Sequence, residues 1–82
     1  MRARVFVTLK PSVLDPQGRT IADALQSLGY VSVQDVRQGK FFELDLGTVS
    51  TEEARTLAAE VADKLLANPV IESYRVEVDG SD

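Results

Sequence analysis

The chain contains no cysteine, no histidine and no tryptophan among its 82 residues. Without cysteine there is no disulfide, no thiolate nucleophile and no cysteine-ligated zinc. Without histidine the chain lacks the side chain that most often moves protons near neutral pH and most often binds metals. We therefore expect no catalytic residues, no metal site and no cofactor site in this chain. The composition favours a protein that binds other molecules over one that performs chemistry.

Positive charge is also scarce, since nine basic residues face thirteen acidic ones and the net charge is −4. Most nucleic-acid-binding proteins need a basic face, because contacts with phosphates supply most of their affinity. The apolar stretch near the N-terminus alternates and ends at Lys10, which is typical of neither a signal peptide nor a membrane span. We expect a cytoplasmic protein whose partners are neither nucleic acid nor membrane.

The first third of the chain predicts a strand followed by a helix. Apolar side chains alternate from residue 3 to residue 9, which is typical of a half-buried strand. Asp15 can cap free N–H groups at the start of a helix, and Pro16 suits the first helical position. Gly29 suits the left-handed position that follows the last turn of such a helix.

The middle of the chain predicts a hairpin. Valines mark a strand at residues 31–36, with a bulge near Gln34-Asp35 where the apolar phase shifts. A turn is predicted at Gln38-Gly39. The next strand carries an apolar stripe on one face, while Phe41, Glu43 and Asp45 point to the other face. The stripe consists of Phe42, Leu44 and Leu46.

The last third predicts a second helix and a final strand. The segment Ser50-Thr51-Glu52-Glu53 is a capping box, and Asn68-Pro69 ends the helix that it begins. The final strand covers residues 70–78. The order β-α-β-β-α-β indicates one α+β domain over residues 1–82, with a fraying tail at residues 79–82. We predict a ferredoxin-like fold, in which two helices cover one face of a four-stranded antiparallel sheet.

The predicted sheet leaves one face without helices, and that face carries Phe6 and Phe41. Exposed aromatic residues and open sheet edges both favour contact with a partner chain. The connection from Lys10 to Arg19 adds two apolar residues, Val13 and Leu14. They either plug the core or form part of a preorganised contact surface, since loops on rigid scaffolds often carry binding.

Three charged residues lie around the predicted turn, namely Asp35, Arg37 and Lys40. Charged residues at an exposed turn add little to stability, so we interpret them as partner-binding residues. The alternative is that Asp35 and Arg37 brace the bulge and the turn within one chain. Both interpretations predict exposed side chains, so the sequence alone leaves them open.

Two other functions are compatible with this order of elements. An RNA-binding module would stack bases on Phe6 and on the aromatics of the segment Gln38–Leu44. Against it, the phase of the strand buries Phe42 and the chain is acidic. A small-ligand-sensing module of the ACT type shares the order of elements and pairs edge to edge. Fold alone does not decide between them.

Four segments, in order and spread over residues 2–78, resemble PurS proteins. They are Val5–Lys10 with Val13–Gly18, then Leu25–Tyr30, then Val33–Lys40, and finally Leu65–Tyr74. The resemblance implies the small subunit of phosphoribosylformylglycinamidine synthase in de novo purine synthesis. That complex converts formylglycinamide ribonucleotide, ATP and glutamine to formylglycinamidine ribonucleotide, ADP, phosphate and glutamate.

The resemblance also implies the division of labour within the complex. A glutaminase subunit releases ammonia through a cysteine nucleophile, and a large synthetase subunit activates the substrate amide with ATP. The PurS subunit is required for assembly and helps ammonia pass between the two. We therefore expect a non-catalytic assembly subunit that binds both of these partners and forms a homodimer or a tetramer.

Overall fold

The structure, a computed structural model, describes residues 1–79. It belongs to the α+β class, as predicted. Its elements are β1 (Arg2–Leu9), α1 (Pro16–Ser27), β2 (Gly39–Asp45), α2 (Thr51–Val61) and β3 (Glu72–Val78). A π-helical turn at Ala62–Leu66 continues α2 directly.

The sheet is antiparallel and has the order β2-β1-β3. In the centre of the sheet, Phe6 of β1 lies opposite Phe41 of β2 and Arg75 of β3. Because directly opposed residues of an antiparallel pair point to the same face, these three side chains share one face. We call this the open face, since α2 packs on the other side.

The core lies between the sheet and α2 and consists of small side chains. Ala3, Val5 and Val7 of β1 are fully buried there. The helix contributes Ala58, and Ala62 follows in the π-helical turn. Larger apolar residues pack around this cluster and are only half-buried, namely Phe42, Leu44, Leu46, Leu66, Val76 and Val78. Alanine on the helix allows it to lie close to the sheet.

The prediction of a strand at residues 31–36 is wrong, and with it the four-stranded sheet and the turn at Gln38-Gly39. The described chain forms three strands, and residues 33–38 run extended into β2 without reversing direction. The reason is a set of polar contacts on the β1–α1 connection. The Gln38 N–H donates to Asp15, and the Arg37 guanidinium donates to the Lys10 and Val13 carbonyls.

The prediction that both helices cover the sheet also fails. The helix α2 packs against β1 and β3, whereas α1 lies along residues 28–38. The Gln26 side-chain amide donates to the Val33 carbonyl, 2.9 Å away. A Cβ atom on Gly18 would lie 2.0 Å from the Val36 carbonyl oxygen, so the helix and this segment meet closely. We call residues 10–38, with α1 and the extended segment, the arm.

The arm makes the molecule long. The radius of gyration is 16.0 Å, whereas a compact domain of this length has about 12 Å. The principal extents are 48 × 28 × 14 Å. Because the molecule is long, the residues of the arm are more exposed to solvent than they would be in a compact domain.

The helix ends follow the sequence signals. Asp15 is the N-cap of α1 and accepts a hydrogen bond from the Gly18 N–H at 2.9 Å. Ser50 and Glu53 form the predicted capping box. Gly29 has a φ of 102°, the left-handed conformation that glycine adopts without strain. Of the predicted fraying tail, Asp79 donates its N–H to the Arg2 carbonyl, and residues 80–82 lie outside the described residues.

Candidate functional site

The open face carries a stacked aromatic and cationic cluster. The ring centroids of Phe6 and Phe41 are 5.0 Å apart, with the planes tilted by 34°. The Arg75 guanidinium lies 4.3 Å from the centroid of Phe6. Because Phe41 is 52% exposed, the cluster presents an apolar ring to solvent. An exposed aromatic ring beside a guanidinium is typical of protein contact surfaces.

Charged residues border this aromatic cluster on the same face. The Arg4 guanidinium lies 2.9 Å from the Asp79 carboxylate and 3.5 Å from that of Glu77. Glu77 also pairs with Arg75. These ion pairs are half-exposed and contribute little to stability by themselves. They orient both arginines around Phe6, which gives the face a defined pattern of charge.

A second group of predicted residues lies at the base of the arm. The Arg37 guanidinium donates to the carbonyl of Lys10 at 3.0 Å and to that of Val13 at 2.9 Å. Val13 is half-buried, whereas Leu14 is 75% exposed and does not plug the core. Arg37 therefore fixes the direction in which the arm leaves the sheet.

Asp15 is the buried acidic residue at this base, with 5% of its surface exposed. Its two carboxylate oxygens accept hydrogen bonds from the Gln38 N–H and the Gly18 N–H, each at 2.9 Å. These bonds, with a smaller contribution from the charge of Arg37, lower the pKa of Asp15 below its usual value. One carboxylate thus caps α1 and ties the end of the arm to its beginning.

Lys40 lies on the opposite face of the sheet from Phe41, because neighbouring residues of a strand alternate. Its ammonium group donates to the Leu66 carbonyl at 3.0 Å and lies 3.5 Å from the Glu72 carboxylate. It borders a cleft of about 290 Å³ between the sheet and the base of the arm. The cleft is lined by Val7, Leu9, Asp15, Gln17, Gln38, Gly39, Lys40 and Glu72.

The structure therefore separates the seven predicted partner-binding residues. Phe6 and Phe41 meet on the open face, while Val13 and Arg37 meet at the base of the arm. Asp35 and Leu14 are exposed on the arm, and Lys40 borders the cleft. The predicted cluster around a turn does not form, because there is no turn at Gln38-Gly39.

Arg75 is a member of the aromatic cluster that sequence reasoning missed. Arg75 lies between Tyr74 and Val76 in β3. Because neighbouring residues of a strand point to opposite faces, the buried side of Val76 places Arg75 on the open face. The pairing of Lys40 with Glu72 had no local signal, since the two residues are far apart in the chain.

The arm also carries apolar residues that nothing in the described chain covers. Leu28, Tyr30 and Val31 are 73%, 59% and 74% exposed, and Ile21 is 39% exposed. Within α1, only Gly18 and Ala22 are buried. Exposed apolar groups of this extent on a small domain indicate a contact surface.

Residues 1–79 contain no group of three or more acidic side chains placed to hold a metal ion. None of the helices described has the length and apolar character needed to cross a membrane.

These surfaces define a small α+β domain built for contact with other chains. A family model described as "PurS: Phosphoribosylformylglycinamidine (FGAM) synthase" matches residues 2–80. The PurS subunit of phosphoribosylformylglycinamidine synthase from Bacillus subtilis is 50% identical over 78 residues, covering 95% of this chain and 92% of that protein. The chain belongs to the PurS family, the PurS subunits of FGAM synthase in purine biosynthesis.

Solved structures of the family agree with the fold described above. PurS from Methanocaldococcus jannaschii is 37% identical and superposes with a TM-score of 0.87, covering 99% of this chain and 98% of that one. A chain of the PurLQS structure from Thermotoga maritima is 30% identical, with a TM-score of 0.84 and 93% of both chains covered. The RNA-binding and ACT-type hypotheses thus give way to a subunit of a biosynthetic complex.

Proposed function

We propose that this chain is a non-catalytic assembly subunit that bridges the glutaminase and the ATP-dependent synthetase subunits of FGAM synthase and supports ammonia transfer between them. It acts in the cytoplasm and holds no cofactor of its own. The observation that carries the proposal is the match to a chain of the Thermotoga maritima PurLQS structure over 93% of both chains. The absence of cysteine and histidine from the sequence agrees with a subunit that leaves the chemistry to its partners.

The partner-binding surface that we propose includes the open face and the exposed part of the arm. On the open face, Phe41 supplies an exposed ring next to Phe6. On the arm, Leu14 and Asp35 are exposed, while Val13, Arg37 and Lys40 lie at its base. Aromatic residues supply a large share of the energy at protein interfaces, so we place the strongest contact at Phe41.

The chain also forms a homodimer at least, with a tetramer as the larger alternative. Both sheet edges and the apolar residues of the arm are uncovered in a single chain, and small domains often gain stability by association. Light scattering at micromolar concentration measures the mass directly. A monomer mass at that concentration would contradict this part of the proposal.

Co-purification tests the bridging role. A tagged chain is co-expressed with the glutaminase and the large synthetase from the same source, and the amount of each partner retained is measured. We expect both partners to be retained, and Phe41→Ala to lower retention at least several-fold. Glu60→Ala, an exposed substitution on α2, serves as the matched control and should retain both. If the unaltered chain retains neither partner, the bridging proposal is wrong.

A further inference from the structure

The open face carries its rings and charges in rows, because the three strands bring opposed residues to it side by side. Read from β2 to β3, one row consists of Phe41, Phe6 and Arg75. The next row consists of Glu43, Arg4 and Glu77. The last row consists of Asp45, Arg2 and Asp79. These rows contain four carboxylates and three guanidinium groups, so one carboxylate is in excess.

The half of the face near β3 is complete in itself. The Arg75 guanidinium lies 4.3 Å from the centroid of the Phe6 ring. It also pairs with the carboxylate of Glu77, two residues further along β3. A guanidinium placed in this way uses its planar face on a ring and its N–H groups on a carboxylate.

The half of the face near β2 has the ring and the carboxylate but no guanidinium. Phe41 is 52% exposed, and Glu43 is exposed on the same face two residues further along β2. Within residues 1–79, Glu43 takes part in no ion pair, and the guanidinium that stacks on a ring lies over Phe6. Phe41 and Glu43 therefore repeat the arrangement near β3 without its cation.

The neighbouring arginines of this chain are placed elsewhere. Arg4 lies opposite Glu43 in the strand register, but its guanidinium is turned towards β3 and lies 2.9 Å from the Asp79 carboxylate. Arg2 lies one row further from Phe41. A guanidinium over Phe41 would thus come from another chain.

We propose that the open face binds the ATP-dependent synthetase subunit through an arginine of that subunit, which stacks on Phe41 and bonds to the Glu43 carboxylate. This inference rests on the proposed assembly role and names the partner of one surface and the chemistry of the contact. An arginine fits better than a lysine, because only a guanidinium is planar enough to stack on a ring while it bonds to a carboxylate in the fork geometry.

Charge selects the synthetase over the glutaminase. This chain has a net charge of −4, and the open face has one carboxylate in excess. A subunit that binds ATP and a ribonucleotide needs arginine and lysine side chains for the phosphates. The substrate of a glutaminase carries no phosphate. Because partner surfaces have complementary charge, the acidic chain fits the phosphate-binding subunit better.

The affinity of the synthetase for variants of the open face tests the proposal. The tagged chain is immobilised, and the dissociation constant of the purified synthetase is measured by interferometry. We expect Glu43→Gln, which keeps the shape and removes the charge, to raise the dissociation constant about tenfold. Phe41→Leu, which keeps apolar bulk without a ring, should also raise it. Glu60→Gln is the matched control, because it makes the same change on the exposed side of α2 and should leave the value unaltered.

The double variant Phe41→Leu/Glu43→Gln shows whether both residues contact one group. If a single arginine bridges them, the loss in the double variant is smaller than the product of the two single losses. Fully independent effects would overturn the shared arginine. The melting temperatures of the variants are measured alongside, and an unchanged value for Glu43→Gln shows that its effect concerns the partner and not folding.

Chemical labelling identifies the arginine itself. Phenylglyoxal modifies accessible arginine side chains, and mass spectrometry compares the free synthetase with the synthetase bound to this chain. We expect one synthetase arginine to be labelled several-fold more slowly in the presence of the natural chain or Glu60→Gln. The same concentration of Glu43→Gln should protect it less. Protection of a glutaminase arginine instead, or of none, would overturn the proposal.

The remaining outcomes separate this inference from the assembly role. If the natural chain retains both partners and Glu43→Gln binds the synthetase equally well, only the inference fails. If Glu43→Gln and Phe41→Leu lower the mass of the free chain in light scattering and leave synthetase binding unchanged, the open face serves a second copy and the inference is wrong. If the natural chain retains neither partner, the inference and the assembly role fail together.

Discussion

The Asp15 carboxylate joins the start of α1 to the end of the arm through the Gly18 and Gln38 N–H groups. Asp15→Ala removes a helix cap and a tie between distant segments, so we expect the melting temperature to fall by about 4–8 °C. Asp15→Asn is the conservative control, because an amide oxygen still accepts one bond but carries no charge. Thermal unfolding followed by circular dichroism measures both. An unchanged melting temperature in Asp15→Ala would contradict the role of this carboxylate.

The lowered pKa of Asp15 gives this contribution a defined dependence on pH. Because the folded pKa lies below the unfolded value of about 3.9, the stabilisation is fully present above that value. It is lost as the pH falls through the unfolded value towards the folded one. The difference in melting temperature between the natural chain and Asp15→Asn should therefore shrink below about pH 4. A difference that stayed constant down to pH 2 would show that the charge is not involved.

Arg37 and Asp35 lie two residues apart but have different surroundings. Arg37 binds two carbonyls of its own chain, whereas the Asp35 side chain is exposed. We expect Asp35→Ala to reduce retention of the glutaminase or the synthetase while the melting temperature changes little, as for most surface substitutions. Arg37→Ala should lower both retention and melting temperature, since it frees the base of the arm.

Lys40→Ala completes this comparison, because the Lys40 ammonium borders the base of the arm but bonds to the Leu66 carbonyl and to Glu72. The measurements are column retention of the two partners and thermal unfolding of each variant. If Asp35→Ala keeps both partners bound at the natural ratio, the assignment of Asp35 to an interface is wrong. If Arg37→Ala changes the melting temperature alone, Arg37 only braces the arm.

At the scale of elements, the contact between α1 and the extended segment depends on Gly18. Alanine normally stabilises a helix interior relative to glycine by up to about 1 kcal/mol. Here a Cβ would lie 2.0 Å from the Val36 carbonyl oxygen, so Gly18→Ala must push α1 away from the segment. We expect a lower melting temperature despite the better helix former. Ser27→Ala, in the last turn of the same helix, is the control and should be neutral or stabilising.

A stabilised Gly18→Ala variant would show that α1 does not lie against Val36. Hydrogen exchange across α1 gives a second measurement, because separation of the helix from the segment exposes the helix on that side. Faster exchange is expected in Gly18→Ala and not in Ser27→Ala. The test thus addresses the packing of the arm within one chain.

Periodic patterns in the sequence predict local structure but not which distant segments pair. Alternation and capping signals predicted β1, α1, β2, α2 and β3, because these patterns depend on neighbouring residues. The valines of residues 31–36 also carry a strand pattern, but a pattern does not state which edge the strand pairs with. The direction of the arm depends on Asp15 and Arg37, whose partners lie more than twenty residues away.

In the candidate site, too, local placement was predictable from the sequence and long-range pairing was not. Phe6 and Phe41 were predicted on one face from their phase, and their rings meet there. Arg75 had the right phase and was overlooked, whereas the pairing of Lys40 with Glu72 depends on the register of strands from opposite ends of the chain. The face on which a side chain lies was therefore predictable, whereas its partner from a distant strand was not.

At the scale of the whole molecule, we predict that the isolated chain has no glutaminase, ATPase or synthetase activity. It has no cysteine or histidine to form a nucleophile–base pair and no glycine-rich phosphate loop. Glutamate release and ATP hydrolysis by the purified chain are compared with blanks that lack protein. Adding the glutaminase and the synthetase to the same sample is the positive control. Turnover by the chain alone above the blank would contradict a purely supporting role.

The position of β1 in the middle of the sheet has a consequence for how the chain folds during synthesis. Leu9 at the end of β1 pairs with Glu72 at the start of β3, so most of the chain must be made before the central strand has both neighbours. Proteins dominated by such distant pairings fold slowly, in milliseconds to seconds. At about 5–20 residues per second, the ribosome takes several seconds to add the residues between these two strands. The strand that emerges first is thus the one that waits longest for its last partner.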